Sequence, residues 1–166
     1  MERTLAWTMV VGLGATACMD LWALARRRLF GTPLPNYGFV GRWFAHLMRG
    51  RVRHDAIAAA SPVPCEALIG WTAHYAIGVA FASLLVATCG VGWLQRPTLG
   101  PALAVGIATV AAPVLILQPG MGAGIAASRT PRPSAARLHS LVTHVVFGLG
   151  LYAAGWIVKL CDRLQG

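Results

Sequence analysis

Acidic residues are scarce. Asp and Glu together number 5 in 166 residues, and charged residues of both signs make up only 11%. With 57% hydrophobic residues and a mean hydropathy of +0.63, the chain lacks the charged surface of an ordinary soluble domain. Closely spaced cysteines are lacking too, since Cys18, Cys65, Cys89 and Cys161 stand far apart. That spacing excludes a CxxC-type zinc or redox motif. No HxxxH pair occurs, which removes the commonest helical metal motif. The four cysteines read as small packing residues, with a Cys89–Cys161 disulfide the one pairing compatible with an oxidising face.

What the chain has is long apolar runs. A spanning helix needs roughly 20 mostly apolar residues, and Leu5–Ala25, Pro64–Cys89, Leu99–Gln118 and Leu138–Leu160 each supply about that length. The expected fold class is all-α, an integral membrane bundle of four transmembrane helices forming a single domain over 1–166. The Arg-rich connection 26–63 joins the first two helices. Ala15-Thr16-Ala17-Cys18 resembles a cleavage or lipidation site, but the apolar run continues through Ala25, so the segment reads as a first transmembrane helix.

The net charge of +9 does not point to nucleic acid, because the basic residues sort by loop. Arg26, Arg27, Arg28, Arg42, Arg49, Arg51 and Arg53 fall between helices one and two, and Arg129, Arg132 and Arg137 between three and four. By the positive-inside rule both loops are expected to be cytoplasmic and both termini outside, in a bacterial inner membrane. Within the first loop, Phe39, Val40, Trp43, Phe44 and Leu47 recur at helical spacing, with Arg42, His46 and Arg49 at other positions. This predicts a short amphipathic interfacial helix over 37–48, suited to the bilayer surface and to anionic lipids. Small residues spaced by four (Gly70, Gly78, Ala82; Gly100, Ala104, Ala108, Ala112; Gly148) mark the expected helix contacts. Pro113 is expected to disturb the third helix.

The polar and ionisable residues of the spans collect almost entirely at one end. Asp20 lies late in the first span, Glu66 and His74 early in the second, Gln118 at the close of the third, and His139 and His144 at the start of the fourth. With alternating helix directions all six share the cytoplasmic half. At 1.5 Å rise per residue, Asp20 falls roughly 8 Å below the boundary, His144 roughly 9 Å and His74 roughly 15 Å. An intramembrane carboxylate is costly, so Asp20 is a site candidate, weighed against a purely structural hydrogen bond or ion pair. Arg129 and Arg137 complete the candidate ligand set.

Three chemistries fit these residues. His74 and His144 on different helices suit a haem or a divalent metal. Asp20 or Glu66 with His144 suits a proton relay. The glycine run Gly120-Met121-Gly122-Ala123-Gly124, with Arg129 close behind, could offer backbone amides to an anion, although it follows a transmembrane helix and so is no dinucleotide fingerprint. Ser128 and Ser140 have no base at motif spacing.

Gly14-Ala15-Thr16 with Met19-Asp20-Leu21-Trp22, Asn36-Tyr37, Val40-Gly41-Arg42-Trp43, Glu66 with Gly70-Trp71 and His74-Tyr75, Pro97-Thr98, Gln118-Pro119-Gly120-Met121-Gly122, and Arg137 with Ser140-Leu141 and His144 form a pattern spanning nearly the whole chain. It resembles the bacterial membrane proteins grouped as domain of unknown function 2938. The resemblance implies a small multi-pass membrane protein and carries no activity. The leading functional expectation is therefore a protein that binds or transports a small anion, lipid headgroup or proton. The alternatives are a metal- or haem-holding membrane enzyme, and an accessory subunit of a membrane complex. A homo-oligomer is compatible with the small-residue stripes.

Overall fold

A computed structural model describes residues 2–164; the described residues contain helices and no strand. Four of the helices are long and apolar enough to cross a membrane: α1 (Glu2–Phe30), α3 (Glu66–Cys89), α4 (Leu99–Gly120) and α5 (Pro133–Leu164). The short α2 (Tyr37–Leu47) lies between the first two.

Local chemistry explains where these elements begin and end. The expected first span stops at Ala25, but α1 runs on through Arg26, Arg27 and Arg28. Basic residues in a last turn complement the carbonyl end of the helix dipole. The chain leaves α1 at Gly31, which adopts φ +63 and donates its N–H to the Arg27 carbonyl at 3.1 Å. Pro33 and Pro35 then forbid continuation. Asn36 opens α2 by accepting from the Gly38 N–H at 3.0 Å. Ahead of α3, the Val63 N–H is taken by the Glu66 carboxylate at 3.3 Å. Pro133 starts α5 at the helical position where a missing N–H costs nothing.

Helix α4 is not uniform. Pro113 has no N–H to give the preceding turn, and Pro113–Leu117 is rewound as a π-helix in which the Gln118 N–H reaches the Pro113 carbonyl. The disturbance expected at Pro113 thus takes the form of a wider turn.

The chain divides into two compact units. The first holds the residues up to Leu34, Tyr75–Thr109 and those from Thr143 onward. Its core is Val11, Ala15, Ala82, Leu85, Trp93, Ala102, Phe147, Leu151 and Val158, all buried. Among spanning helices apolar area alone gives little drive, because lipid is as apolar as leucine; close backbone approach supplies the attraction. A methyl on Gly106 would stand 2.6 Å from the Gly148 Cα, and one on Gly12 would stand 2.5 Å from the Val79 Cα. The packed side of α4 carries Ala102, Gly106 and Thr109, whereas Gly100, Ala104 and Ala108 are exposed. The stripe expected on Gly100, Ala104 and Ala108 is therefore displaced: α4 offers small residues in two registers, and the one holding Gly106 meets Gly148. The expected stripe residues Gly78 and Gly148 are buried.

The second unit holds Pro35–His74 and Val110–Val142. In it α2 meets the start of α3 with no room for side chains. A methyl on Gly70 would strike the Tyr37 carbonyl, and one on Gly41 the Glu66 carbonyl. All four cysteines are free thiols, so Cys89 and Cys161 form no disulfide.

Candidate functional site

The second unit is organised by one arginine. Arg42 is buried in α2, and its Nε and Nη2 donate to Glu66 Oε2 and Oε1, each at 2.8 Å. Nη1 donates to the carbonyls of Ile57 at 3.2 Å and Ala60 at 3.0 Å. A two-pronged guanidinium–carboxylate pair with its remaining protons also engaged is the arrangement in which a buried charge is tolerated. The Glu66 hydrogen bond raises Arg42 further above its ordinary pKa. Arg42 therefore straps the segment 57–60 and the α3 start to α2. Arg42 and His46 were expected on the polar face of α2, but both are buried, as is Trp43 from the apolar face.

His46 begins a second chain of contacts. His54 Nδ1 lies 3.2 Å from the Gly120 carbonyl, which can only accept, so this nitrogen carries the proton. In neutral His54 the Nε2 then accepts from His46 Nδ1, 2.8 Å away. The tautomers are assigned from this logic. Burial pushes His46 below the ordinary imidazole range, and the neighbouring His54 and Arg51 push the same way against an opposing hydrogen bond at Ser61. The His54 N–H also donates to the Gly120 carbonyl at 3.0 Å, and the Ile57 N–H to the Met121 carbonyl at 3.0 Å. Trp43 completes the floor: its indole donates to the Val52 carbonyl at 2.9 Å and its ring lies against Gly120.

Next to this floor, which contributes only His54 to its lining, a cavity of about 490 Å³ opens, lined by Arg51, Arg53, His54, Asp55, Pro119, Gly124, Ile125, Ser128 and Arg129. Three arginines line it against one acidic residue. The loop forming one wall is conformationally costly. Gly122 and Gly124 take φ +96 and +75, and Ala126 and Ala127 take φ +51 and +56. Left-handed backbone costs an alanine roughly 1–2 kcal/mol. Side-chain contacts hold it there: Arg137 Nε donates to the Ala126 carbonyl at 2.8 Å and Thr130 Oγ1 to the Ala127 carbonyl at 2.7 Å. Strain retained against such a cost points toward function.

The residues singled out from sequence fall at several places. Arg129 lines the cavity and Arg137 braces its loop. Glu66 is the partner of Arg42. Gln118 Nε2 donates to Ser140 Oγ at 3.2 Å, while its buried Oε1 has no partner among the described residues. His74 Nε2 lies 2.9 Å from the Tyr37 hydroxyl, with the two rings stacked at 4.3 Å. His139 is exposed on α5. In the first unit, Asp20 accepts from the Tyr75 hydroxyl at 2.9 Å. There the buried His144 Nδ1 lies 3.1 Å from Thr109 Oγ1 and 3.2 Å from the Gly106 carbonyl. Among the described residues no three His, Cys, Asp or Glu side chains are grouped to hold a metal ion.

Sequence reasoning passed over Arg51, Arg53, His54 and Asp55 as site residues. The only signal available was the density of the run Arg49-Gly50-Arg51-Val52-Arg53-His54-Asp55, which the positive-inside rule already explained.

A family model described as "Protein of unknown function (DUF2938)" matches residues 9–158, most of the chain. No curated protein and no solved structure matches.

Proposed function

We propose, for a chain that belongs to this DUF2938 family of proteins of unknown function, that it is a multi-pass membrane protein whose second unit receives a small anion. The observation that carries the reading is the cavity faced by Arg51, Arg53 and Arg129 with Asp55 as its lone acid. Guanidinium groups present planar, permanently charged donor forks that match carboxylate and phosphate oxygens. The floor of His46, His54, Trp43 and Gly120 gives such a site a pre-formed base, which lowers the ordering cost of binding. In this reading α1, α3, α4 and α5 cross a bacterial inner membrane and the two Arg-rich loops face the cytoplasm. Arg26, Arg27 and Arg28 then meet the anionic headgroup layer.

Titration calorimetry on the full-length, detergent-solubilised protein tests this with sulfate, phosphate and citrate against neutral glycerol. Saturable anion binding that weakens with added salt and disappears in R51Q/R53Q/R129Q supports the reading. An unresponsive wild-type protein, or binding untouched by the triple variant, refutes it.

A further inference from the structure

The composition of the cavity says more about the anion than its sign. Building on the anion-binding reading, we propose that the site selects a phosphate monoester, either as a small soluble molecule or as a lipid headgroup. Three arginines and one aspartate line the space, leaving two formal positive charges. A phosphate monoester carries about −1.5 to −2 at pH 7, whereas a phosphate diester or a carboxylate carries one charge. Of these three anions, the monoester matches the excess.

All three cations are arginines, whose forks bind phosphate oxygens in pairs and distinguish a three-oxygen terminal group from a diester with two free oxygens. The wall also supplies a hydroxyl residue, Ser128, next to Arg129 in the chain. His54 contributes differently: both ring nitrogens are engaged, by His46 and by the Gly120 carbonyl, so it is a fixed part of the wall. The volume, about 490 Å³, exceeds the need of bare phosphate and falls within the range of small-molecule pockets, roughly 300–1,000 Å³. Pro119 and the exposed Ile125 line the remainder and offer apolar contact to the esterified group. The lining thus combines three arginines with apolar residues, as a monoester with an organic substituent requires.

The test compares two soluble probes, glycerol 3-phosphate and dimethyl phosphate, by calorimetry on the full-length protein in detergent at about 0.15 M salt. A parallel arm measures retention of phosphatidic acid against phosphatidylglycerol by native mass spectrometry of the detergent-solubilised protein. The expected result is a preference for the monoester of roughly tenfold or more, the worth of one further charge-assisted hydrogen bond. That preference should vanish in R53Q/R129Q and survive in R132Q, which lies outside the cavity lining. Preference seen only for phosphatidic acid over phosphatidylglycerol assigns the group to lipid; preference with glycerol 3-phosphate assigns it to a soluble ligand.

Equal binding of monoester and diester, both lost in R53Q/R129Q, would overturn the monoester proposal and leave the anion site standing. So would a monoester preference that R53Q/R129Q retains. Absence of any anion binding would remove both readings. All three arginines are exposed, so the variants should keep their helicity by circular dichroism; R129Q alone carries the comparison if the double variant does not.

Discussion

Trp43 and Gly120 offer a quantitative test of how the cavity floor is held. Trp43 is 4% exposed, and a methyl on Gly120 would sit 2.7 Å from its Cε2 and 3.0 Å from its Cζ2. Gly120 ends a helical segment, so alanine is allowed by its backbone and would gain about 0.4–1 kcal/mol through the unfolded chain. The clash costs more, about 1–3 kcal/mol for overpacking a filled site, so Gly120→Ala should destabilise by roughly 1–2 kcal/mol. Trp43→Phe removes the donor to the Val52 carbonyl and leaves a gap beside Gly120, costing about 2 kcal/mol. In the double variant the new methyl enters that gap, so the two changes should couple by about 1–2 kcal/mol. Unfolding of the four proteins in mild detergent, followed by circular dichroism, completes the cycle. Costs that add to within about 0.5 kcal/mol would show that the two residues do not share a packed contact, and the described floor would be wrong.

Neighbouring contacts carry their own expected outcomes. His46 binds a proton more weakly folded than unfolded, so its contribution to stability is intact above the unfolded value near 6.5 and declines as the pH falls below it; the midpoint of thermal unfolding should drop from pH 8 to pH 5 by less in His46→Asn than in wild type, and equal drops would contradict this. Arg42→Lys keeps the charge but loses the paired bonds to Glu66 and the ties to Ile57 and Ala60, so limited proteolysis should cut 57–60 sooner than in wild type. Gly106→Leu should cost about 1–3 kcal/mol by forcing α4 from Gly148, whereas Gly100→Leu, which meets open space, should be tolerated. If α3 crosses the bilayer, Cys65 and Cys89, exposed ahead of it and at its end, should react with an impermeant maleimide from opposite sides.

The four long helices were legible because apolarity over a span's length is a local property of the chain. The α2 helix was legible from its spacing, yet which face it buries was not. Arg42 and His46 read as solvent-facing until Glu66 and His54, 24 and 8 residues away, supply their partners. The cavity was harder still. Arg51 and Arg53 come from one connection and Arg129 from another; Arg129 was a candidate from its place behind the glycine run, whereas Arg51 and Arg53 had a sufficient explanation in membrane topology. The packing of Gly120 and Gly122 against Trp43, His54 and Asp55, with the hydrogen bonds from His54 to Gly120 and from Ile57 to Met121, brings those connections together. In α4, two alternative rows of small residues satisfied the same spacing rule, and the choice between them depends on Gly148 in α5.

The most direct test of the central claim is to locate a bound anion. Crystals of the full-length protein grown with tungstate, a doubly charged tetrahedral mimic of phosphate, would reveal it by anomalous scattering. The account predicts a peak among the guanidinium groups of Arg51, Arg53 and Arg129 that is absent in R51Q/R53Q/R129Q. A cavity without tungstate in wild-type crystals, or a peak that survives the triple substitution, would contradict it.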